Sequence, residues 1–238
     1  MVTLSKRLTK VASYIKKGSY LLDIGSDHAY LPISLMEKGQ IKGAIAGEVA
    51  PGPLKHSIEK IQEAGFASVI EGRLGDGFSV LKVTDPIDVV SICGMGGDLM
   101  SKILAEGAKN PAFSSIKRFV LQANVGEEEL RRQISALSLK IVEETLVYEK
   151  GHVYPIIVAE PSLDETILSD KEYFMGPILL TKASSDALVL ERYQRQFKHW
   201  NKVLQQLPEG HPQVLLVKVR LQWLKEVLDE IKGLNPTI

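Results

Sequence analysis

Residues Leu21 to Leu31 read LLDIGSDHAYL. An apolar run, Tyr20 to Ile24, carries Asp23 near its end. The run breaks at Gly25 into a small polar turn, and a helical pattern resumes from Tyr30. A buried strand, a tight turn and a helix in that order make the first βα unit of an α/β domain. Such a turn lies at the carboxyl end of its strand, where open α/β sheets bind ligands.

Working outward, the chain keeps that alternation. On the amino side, Leu4 to Ile15 places Leu4, Leu8, Val11, Ala12 and Ile15 on one helical face, with Lys6, Arg7 and Lys10 on or beside the other. That basic face admits two readings, a solvated surface or a contact with nucleic-acid phosphates. On the carboxyl side the spacing predicts a helix from Leu31 to Lys38 and a strand from Gly43 to Val49 with Glu48 at its end. A Pro-started helix from Pro51 towards Gly65 comes next. A short strand, Ser68 to Glu71, leads into RLGDGF. A strand from Ile87 to Cys93 ends in the glycine turn GMGGDL, and a helix runs from Gly97 to Glu106. Arg118 to Ala123 is the fifth strand, followed by a helix opening at Asn124 or Val125, with acids in its first turn.

Two β-rich runs then follow with no helix between them, Lys140 to Glu149 and Tyr154 to Glu160. Five βα repeats predict a parallel sheet covered on both faces. A closing pair joined by a short turn is a hairpin, so one strand runs against the rest. Seven strands with one antiparallel strand next to the edge is the Rossmann-like sheet of class I methyltransferases. Dinucleotide-binding domains lack the final hairpin.

The chain changes character near Pro161, which divides it into residues 1–161 and 162–238. Ser162 to Pro177 reads as a loop-like connection. Leu190, Tyr193, Phe197, Trp200, Leu204 and Leu207 then recur three and four apart. After a turn at Pro208, Gly210 and Pro212, the spacing repeats in Val214, Val217, Leu221, Leu224, Leu228 and Ile231. This predicts an antiparallel helical coiled-coil hairpin, serving either as a structural or partner-binding element or as an arm that grips a large substrate.

The balance of 29 basic and 29 acidic residues gives no global pull towards nucleic acid, so a polyanion must be met by a local patch. Cys93 is the one cysteine, which excludes an internal disulfide and a Cys-rich zinc site. No apolar run approaches the roughly 18 residues of a membrane span, and the amino-terminal stretch lacks the apolar core of a secretory signal. These features point to a cytoplasmic setting with no membrane partner and no bound metal. The oligomeric state is left open, a monomer being the simplest case.

Four strand ends carry chemistry. Asp23 and Gly25 end the first strand and Glu48 the second. Asp76 and Gly77 follow the third, and Gly94, Met95, Gly96 and Gly97 follow the fourth. A doubly wound sheet brings these turns to one edge. Gly25 permits close backbone approach. Glu48 stands where an acid binds two ribose hydroxyls, Asp76 where an adenine amino group donates, and Met95 where an apolar contact meets the adenine face. The turn is not a full G-x-G-x-x-G phosphate cradle, because Ser26, Asp27 and His28 replace small residues. Asp27 would repel a pyrophosphate. The acids favour a ligand without phosphate and with a positive sulfonium, S-adenosylmethionine, over NAD, and Asp23 suits the cationic amino group of its methionine tail. Taken singly, each acid could equally be a turn or helix-cap residue.

The motifs LSKRL (Leu4 to Leu8), DIGSDHAYLP (Asp23 to Pro32), GEV (Gly47 to Val49), RLGDGF (Arg73 to Phe78), ICGMGG (Ile92 to Gly97), QAN (Gln122 to Asn124) and the late EKGHVYPI resemble the TrmK family over the whole chain. Ala123 departs from the Pro that the family pattern favours. The resemblance implies bacterial tRNA N1-adenine methyltransferases acting at position 22, in the D-arm region, with S-adenosylmethionine as donor. It carries the ribose acid onto Glu48, beside Val49, the adenine acid onto Asp76 with Gly77, and the first-motif contacts onto Asp23, Gly25, Ser26, Asp27 and His28. Gly94 and Met95 lie where enzymes that methylate exocyclic nitrogens have an Asn/Asp-Pro-Pro-aromatic motif, absent here, which fits a ring nitrogen as acceptor.

Adenine N1 has an in-plane lone pair and needs no covalent enzyme intermediate. The chemistry asks for alignment, exclusion of water and a carboxylate near the developing charge. Asp27 is the first candidate for that role, His28 the second, and Asn124 could hydrogen-bond the Watson–Crick edge. Tyr30, at the start of a helix where a Tyr more often serves packing, could also offer a stacking face for a base taken out of its stack. Lys6, Arg7 and Lys10 are the candidate tRNA contacts. The rival readings are a methyltransferase of a small molecule or protein, a non-catalytic binding protein of the same fold, and an NAD-dependent oxidoreductase.

Overall fold

The computed structural model describes residues 2–164 and 167–234, Leu234 by its backbone alone. Helix α1 (Lys6–Ser13) precedes a series of strands and helices: β1 (Ser19–Ile24), α2 (Tyr30–Glu37), β2 (Ile41–Glu48), α3 (Pro51–Glu63), β3 (Ile70–Leu74), β4 (Val89–Met95), α4 (Gly97–Gly107), β5 (Arg118–Ala123) and α5 (Glu127–Ala136). The strands β6 (Leu139–Glu149) and β7 (His152–Pro161) close the sheet. Its order is β3-β2-β1-β4-β5-β7-β6. Strands β1 to β5 pair in parallel, and β7 runs antiparallel to both β5 and β6. The antiparallel strand therefore lies next to the edge, as the sequence predicts. The chain leaves β1 in one direction to reach β2 and lies beside β4 in the other, so the switch point falls between β1 and β4.

The reason for the elements is mostly burial. Leu21, Leu22 and Ile24 of β1, Val89, Val90 and Ile92 of β4, and Phe119, Val120 and Leu121 of β5 are buried, as continuous apolar runs on a doubly covered sheet must be. Helix α1 lays Val11, Ala12 and the following Ile15 into this core. Ser5 caps its first turn by accepting the Leu8 N–H. The Lys6 N–H donates to Glu149 Oε1 at the end of β6 (2.7 Å).

Three expectations are corrected here. The third repeat has no crossover helix: between β3 and β4 there is only a 3₁₀ turn, Gly77–Val80. The sequence between Val80 and Ile87 holds no apolar face long enough to wind further. The last crossover helix begins at Glu127 and not at Asn124 or Val125, because Gly126 takes a left-handed conformation (φ 80°) as its N-cap. The stretch from Ser162 to Pro177 is not all loop. Residues 165 and 166 lie outside the described residues, but α6 (Asp170–Met175) and α7 (Pro177–Lys182) follow. Helix α6 is opened by a capping box in which Ser169 and Glu172 satisfy each other's backbone N–H groups.

The described chain separates into two compact units, 1–167 and 168–238. In the second, α8 (Ala187–Gln206) and α9 (Val214–Leu234) pack on one another. Seven residues between them span at most about 24 Å, less than the ~30 Å needed to return for a parallel arrangement, so the helices form an antiparallel hairpin. Val217, Leu221, Leu224, Leu228 and Ile231 of α9 are buried as their spacing predicts. On α8 burial is complete at Val189 and Tyr193, while Leu190, Phe197, Trp200 and Leu204 are half-buried. The cause is α6. Phe174 places its ring 6.2 Å from both Trp200 and Trp223, and Tyr193 donates its hydroxyl to the Met175 carbonyl (3.0 Å). Among the described residues no helix is long and apolar enough to cross a membrane.

Candidate active site

The turn after β1 is more unusual than a single glycine explains. Gly25 is left-handed (φ 68°), and so are Asp27, His28 and Ala29 (φ 44°, 64° and 56°). Three consecutive non-glycine residues in that region cost about 1 kcal/mol or more each. The surrounding bonds hold them. The N–H groups of Gly25 and Ser26 donate to the Gly47 carbonyl (2.9 and 3.3 Å), and the Asp27 N–H donates to Glu48 Oε1 (2.8 Å). A side chain at Gly25 would meet the end of Met95, 2.3 Å from its Cβ position, so β4 reaches directly over the β1 turn.

Asp23 is buried beneath this turn. Its two carboxylate oxygens accept hydroxyls from Ser26 (2.6 Å) and Ser91 (2.5 Å). Burial pushes its carboxyl up to about 6, the two hydroxyls oppose that, and the nearby Glu48 and Asp27 add to it. Asp23 is thus the anchor of the turn, with both oxygens already engaged, and Ser91 is a partner that sequence reading missed. Glu48 is also buried, and burial raises its carboxyl against the Asp27 N–H that lowers it. Among the described residues its Oε2 has no hydrogen-bond partner. The neighbouring Val49 side is open, with Val49 70% exposed.

Asp27 points outward, its side chain 88% exposed, with Oδ1 3.6 Å from His28 Nε2. The His28 ring is stacked between Tyr30 (centroids 5.3 Å, planes at 25°) and His56 (5.6 Å, 7°). Tyr30 is therefore neither simple packing nor a free platform: it ends a ladder of three rings at the mouth of the turn. Asp76 follows β3, exposed, and its carboxylate takes no partner among the described residues. With Gly77, Phe78, Leu99 and Ile103 it lines a concavity between the Gly77–Val80 turn and α4. A second cavity, lined by Tyr20, Lys42 and Ile70, lies at the amino ends of β1 to β3 and contains none of the predicted residues.

The glycine turn after β4 is packed backbone to backbone. A Cβ at Gly97 would lie 1.9 Å from the Gly126 carbonyl oxygen, and the Gly97 N–H donates to the Val125 carbonyl (2.7 Å). Gly94 is left-handed (φ 79°). It is held by neutral amides. Its N–H donates to Gln122 Oε1 (3.1 Å), and its carbonyl accepts from Asn124 Nδ2 (2.8 Å). Gln122 Nε2 donates to Asn124 Oδ1 (3.2 Å) and to the Ala123 carbonyl (2.8 Å). Arg7 Nη1 donates to the same Gln122 Oε1.

The predicted residues thus divide. Asp23, Gly25, Ser26, Asp27, His28, Glu48 and Met95 come together around one turn, with Asp76 and Gly77 on the neighbouring strand end. Gly94 and Asn124 gather around the next. Arg7 is corrected: it does not lie on an outward basic face, because its guanidinium reaches Gln122 and stands over the Tyr154 ring at 5.3 Å. Lys10 lies over the Tyr14 ring (4.9 Å), and Lys6 is exposed. Gln122, fully buried, is the main residue missed, although a Gln closing an otherwise apolar strand was the available signal. Cys93 is half-buried, and desolvation pushes its thiol up, away from thiolate chemistry. Among the described residues no group of three or more His, Cys, Asp and Glu side chains could hold a metal ion.

The family model TrmK, tRNA (adenine(22)-N(1))-methyltransferase, matches residues 21–232. The tRNA (adenine(22)-N(1))-methyltransferase of Bacillus subtilis is 32% identical over 99% of this chain and 97% of its own. Among solved structures, a protein of the NADB-Rossmann superfamily from Streptococcus agalactiae is 38% identical with a TM-score of 0.89, covering 95% of this chain and 98% of the other. Sp1610 of Streptococcus pneumoniae, in complex with S-adenosyl-L-methionine, is 35% identical with a TM-score of 0.85, covering 95% and 100%.

Proposed function

We propose, for a chain that belongs to the TrmK family, that it transfers a methyl group from S-adenosylmethionine to N1 of adenine 22 in tRNA, using the two turns at the carboxyl edge of the sheet. The observation that carries the site assignment is the acid set at that edge. Among the described residues, Glu48 presents an unshared Oε2 and Asp76 a carboxylate with no partner. Both suit a nucleoside's hydroxyl and amino donors. Asp27 opens outward where a pyrophosphate would sit. The residues present fit S-adenosylmethionine and disfavour a dinucleotide.

In this reading Glu48, with Val49 beside it, holds the ribose. Asp76 and Gly77 hold the adenine, with Met95 covering it. Gly25, Ser26 and the anchored Asp23 shape the pocket for the methionine tail, and the Gly94 turn closes it. Bound there, the cofactor supplies a methyl group on a positively charged sulfur. The task left to the chain is to align adenine N1 with that methyl and to keep water away. Asn124, exposed beside Gly94, is placed to meet the Watson–Crick edge of the base. Asp27 supplies negative charge near the base as it becomes cationic, and the Tyr30–His28–His56 ladder offers a stacking surface for a base removed from its helix. Lys6 and Lys10 are the phosphate contacts on α1.

The test is to incubate the purified protein with unmodified tRNA and S-adenosylmethionine and to map the modified base by reverse-transcription arrest. One arrest, at adenine 22, is expected. Methylation elsewhere, or of protein or small molecules in place of tRNA, overturns the assignment.

A further inference from the structure

Arg7 is the one cation of α1 that turns inward. Its Nη1 donates to Gln122 Oε1, its guanidinium lies over Tyr154, and it passes within 3.3 Å of the Cβ position of Gly94. Gln122 is fully buried and cannot itself touch RNA. Its Oε1 receives two donors, Arg7 and the Gly94 N–H. That leaves Nε2 as a donor towards Asn124, whose Oδ1 accepts it, and Asn124 Nδ2 is thereby aimed at the Gly94 carbonyl. Each amide is fixed in one sense. Reversing Gln122 would set its NH₂ against two donors, and reversing Asn124 would set donor on donor and carbonyl on carbonyl.

From this relay we infer that Arg7 is a positioning residue for methyl transfer, not an anchor for the tRNA backbone: by orienting Gln122 it sets the carboxamide of Asn124 that faces the acceptor base. The inference rests on the proposed transfer to adenine N1. One N–H of Asn124 and one lone pair of its Oδ1 remain outside the relay. A fixed carboxamide presents them in one arrangement, and a free one presents them in two. A misoriented amide would meet the base edge with a donor where the adenine amino group needs an acceptor.

The experiment compares wild type with Arg7→Ala, Gln122→Glu and the double variant. It reads the single-turnover methylation rate at saturating tRNA and S-adenosylmethionine, the tRNA Kd across a salt series, and the cofactor Kd. Gln122→Glu keeps an acceptor for Arg7 but removes the donor to Asn124, so it separates folding from positioning. Both single variants should lose about tenfold or more in rate, the cost of a lost charge-assisted or amide contact. The tRNA Kd and its salt slope should be unchanged, and the double variant should be no slower than the worse single one. An Arg7→Ala protein with wild-type rate, weaker tRNA binding and a salt slope lower by about 1 would make Arg7 a phosphate contact and overturn the inference. So would a Gln122→Glu protein with wild-type rate, a result that stands even if Arg7→Ala does not fold. Absence of methylation at adenine 22 in the wild type would instead remove the reading beneath it, and shows before any variant is compared.

Discussion

The turn after β1 and the glycine turn after β4 stand at the same sheet edge and are built on opposite principles. The first is held by ions and hydroxyls: Asp23 gripped by Ser26 and Ser91, and Glu48 gripping the Asp27 N–H, over a left-handed run. The second is held by backbone contact and neutral amides, Gly97 on Gly126 and Gln122 between Gly94 and Asn124. The difference matches what each would face in the proposed reaction. A cationic, phosphate-free cofactor calls for carboxylates, whose cost of burial is offset by hydroxyl and N–H donors. A neutral base edge calls for oriented donors and acceptors, and a bare charge there would not discriminate.

The largest expected break in the comparison comes from adding one methyl group to each turn. Gly97→Ala sets a Cβ against the Gly126 backbone, which cannot yield as a flexible side chain does. It should lose about 3 kcal/mol or more of stability, read by urea unfolding. Gly25→Ala meets only the movable end of Met95 and a left-handed φ of 68°, so it should cost about 1–2 kcal/mol and leave the protein folded. Equal losses would show that the two turns are not built differently.

The ionic turn should also show itself in pH dependence. Asp23 is held at about 6 against an ordinary 3.8. Below pH ~4 the carboxyl is protonated in folded and unfolded chains alike, and its stabilising contribution is complete. As pH rises through about 6 the buried carboxyl ionises and that contribution is lost. Stability relative to an Asp23→Asn variant should therefore fall from pH 4 to pH 7 by at most roughly 3 kcal/mol. A flat difference would mean that the anchor is not a buried carboxyl with a raised pKa.

A smaller effect, about tenfold, is expected for Asp27→Ala on the single-turnover rate, with the cofactor Kd within about threefold of wild type. The exposed side chain contributes little to holding the turn, whose grip on residue 27 is through the backbone N–H. A selective loss of cofactor binding would return Asp27 to the binding set alone.

Much of this was legible in the sequence. An apolar run ending in Asp23, Ile24 and Gly25 can hardly be anything but a strand and its turn. The antiparallel β7 followed from the want of room for a helix between Glu149 and Tyr154. The acids at strand ends were visible because topology alone gathers them. What stayed hidden depends on partners far apart in the chain. Arg7 and Gln122 are 115 residues apart, and nothing in LSKRL distinguishes an inward cation from an outward one. The left-handed run over Asp27, His28 and Ala29 was hidden because no residue type there demands it; it is imposed by the Gly47 carbonyl and Glu48. Helix α6 is too short, at 6 residues, for periodicity to declare it, although Ser169 and Glu172 carried its capping box in plain view.

The central claim is that the first turn binds the cofactor and the second presents the base. Glu48→Gln and Asn124→Ala test it together, with S-adenosylmethionine Kd measured by calorimetry and methylation of adenine 22 measured in a single turnover at saturating cofactor. The account predicts that Glu48→Gln weakens cofactor binding by about tenfold or more and recovers most of its rate at saturation. It predicts that Asn124→Ala binds cofactor as the wild type does and loses the rate. Equal cofactor affinities in both variants, or a Glu48→Gln protein whose only defect is rate, would contradict it.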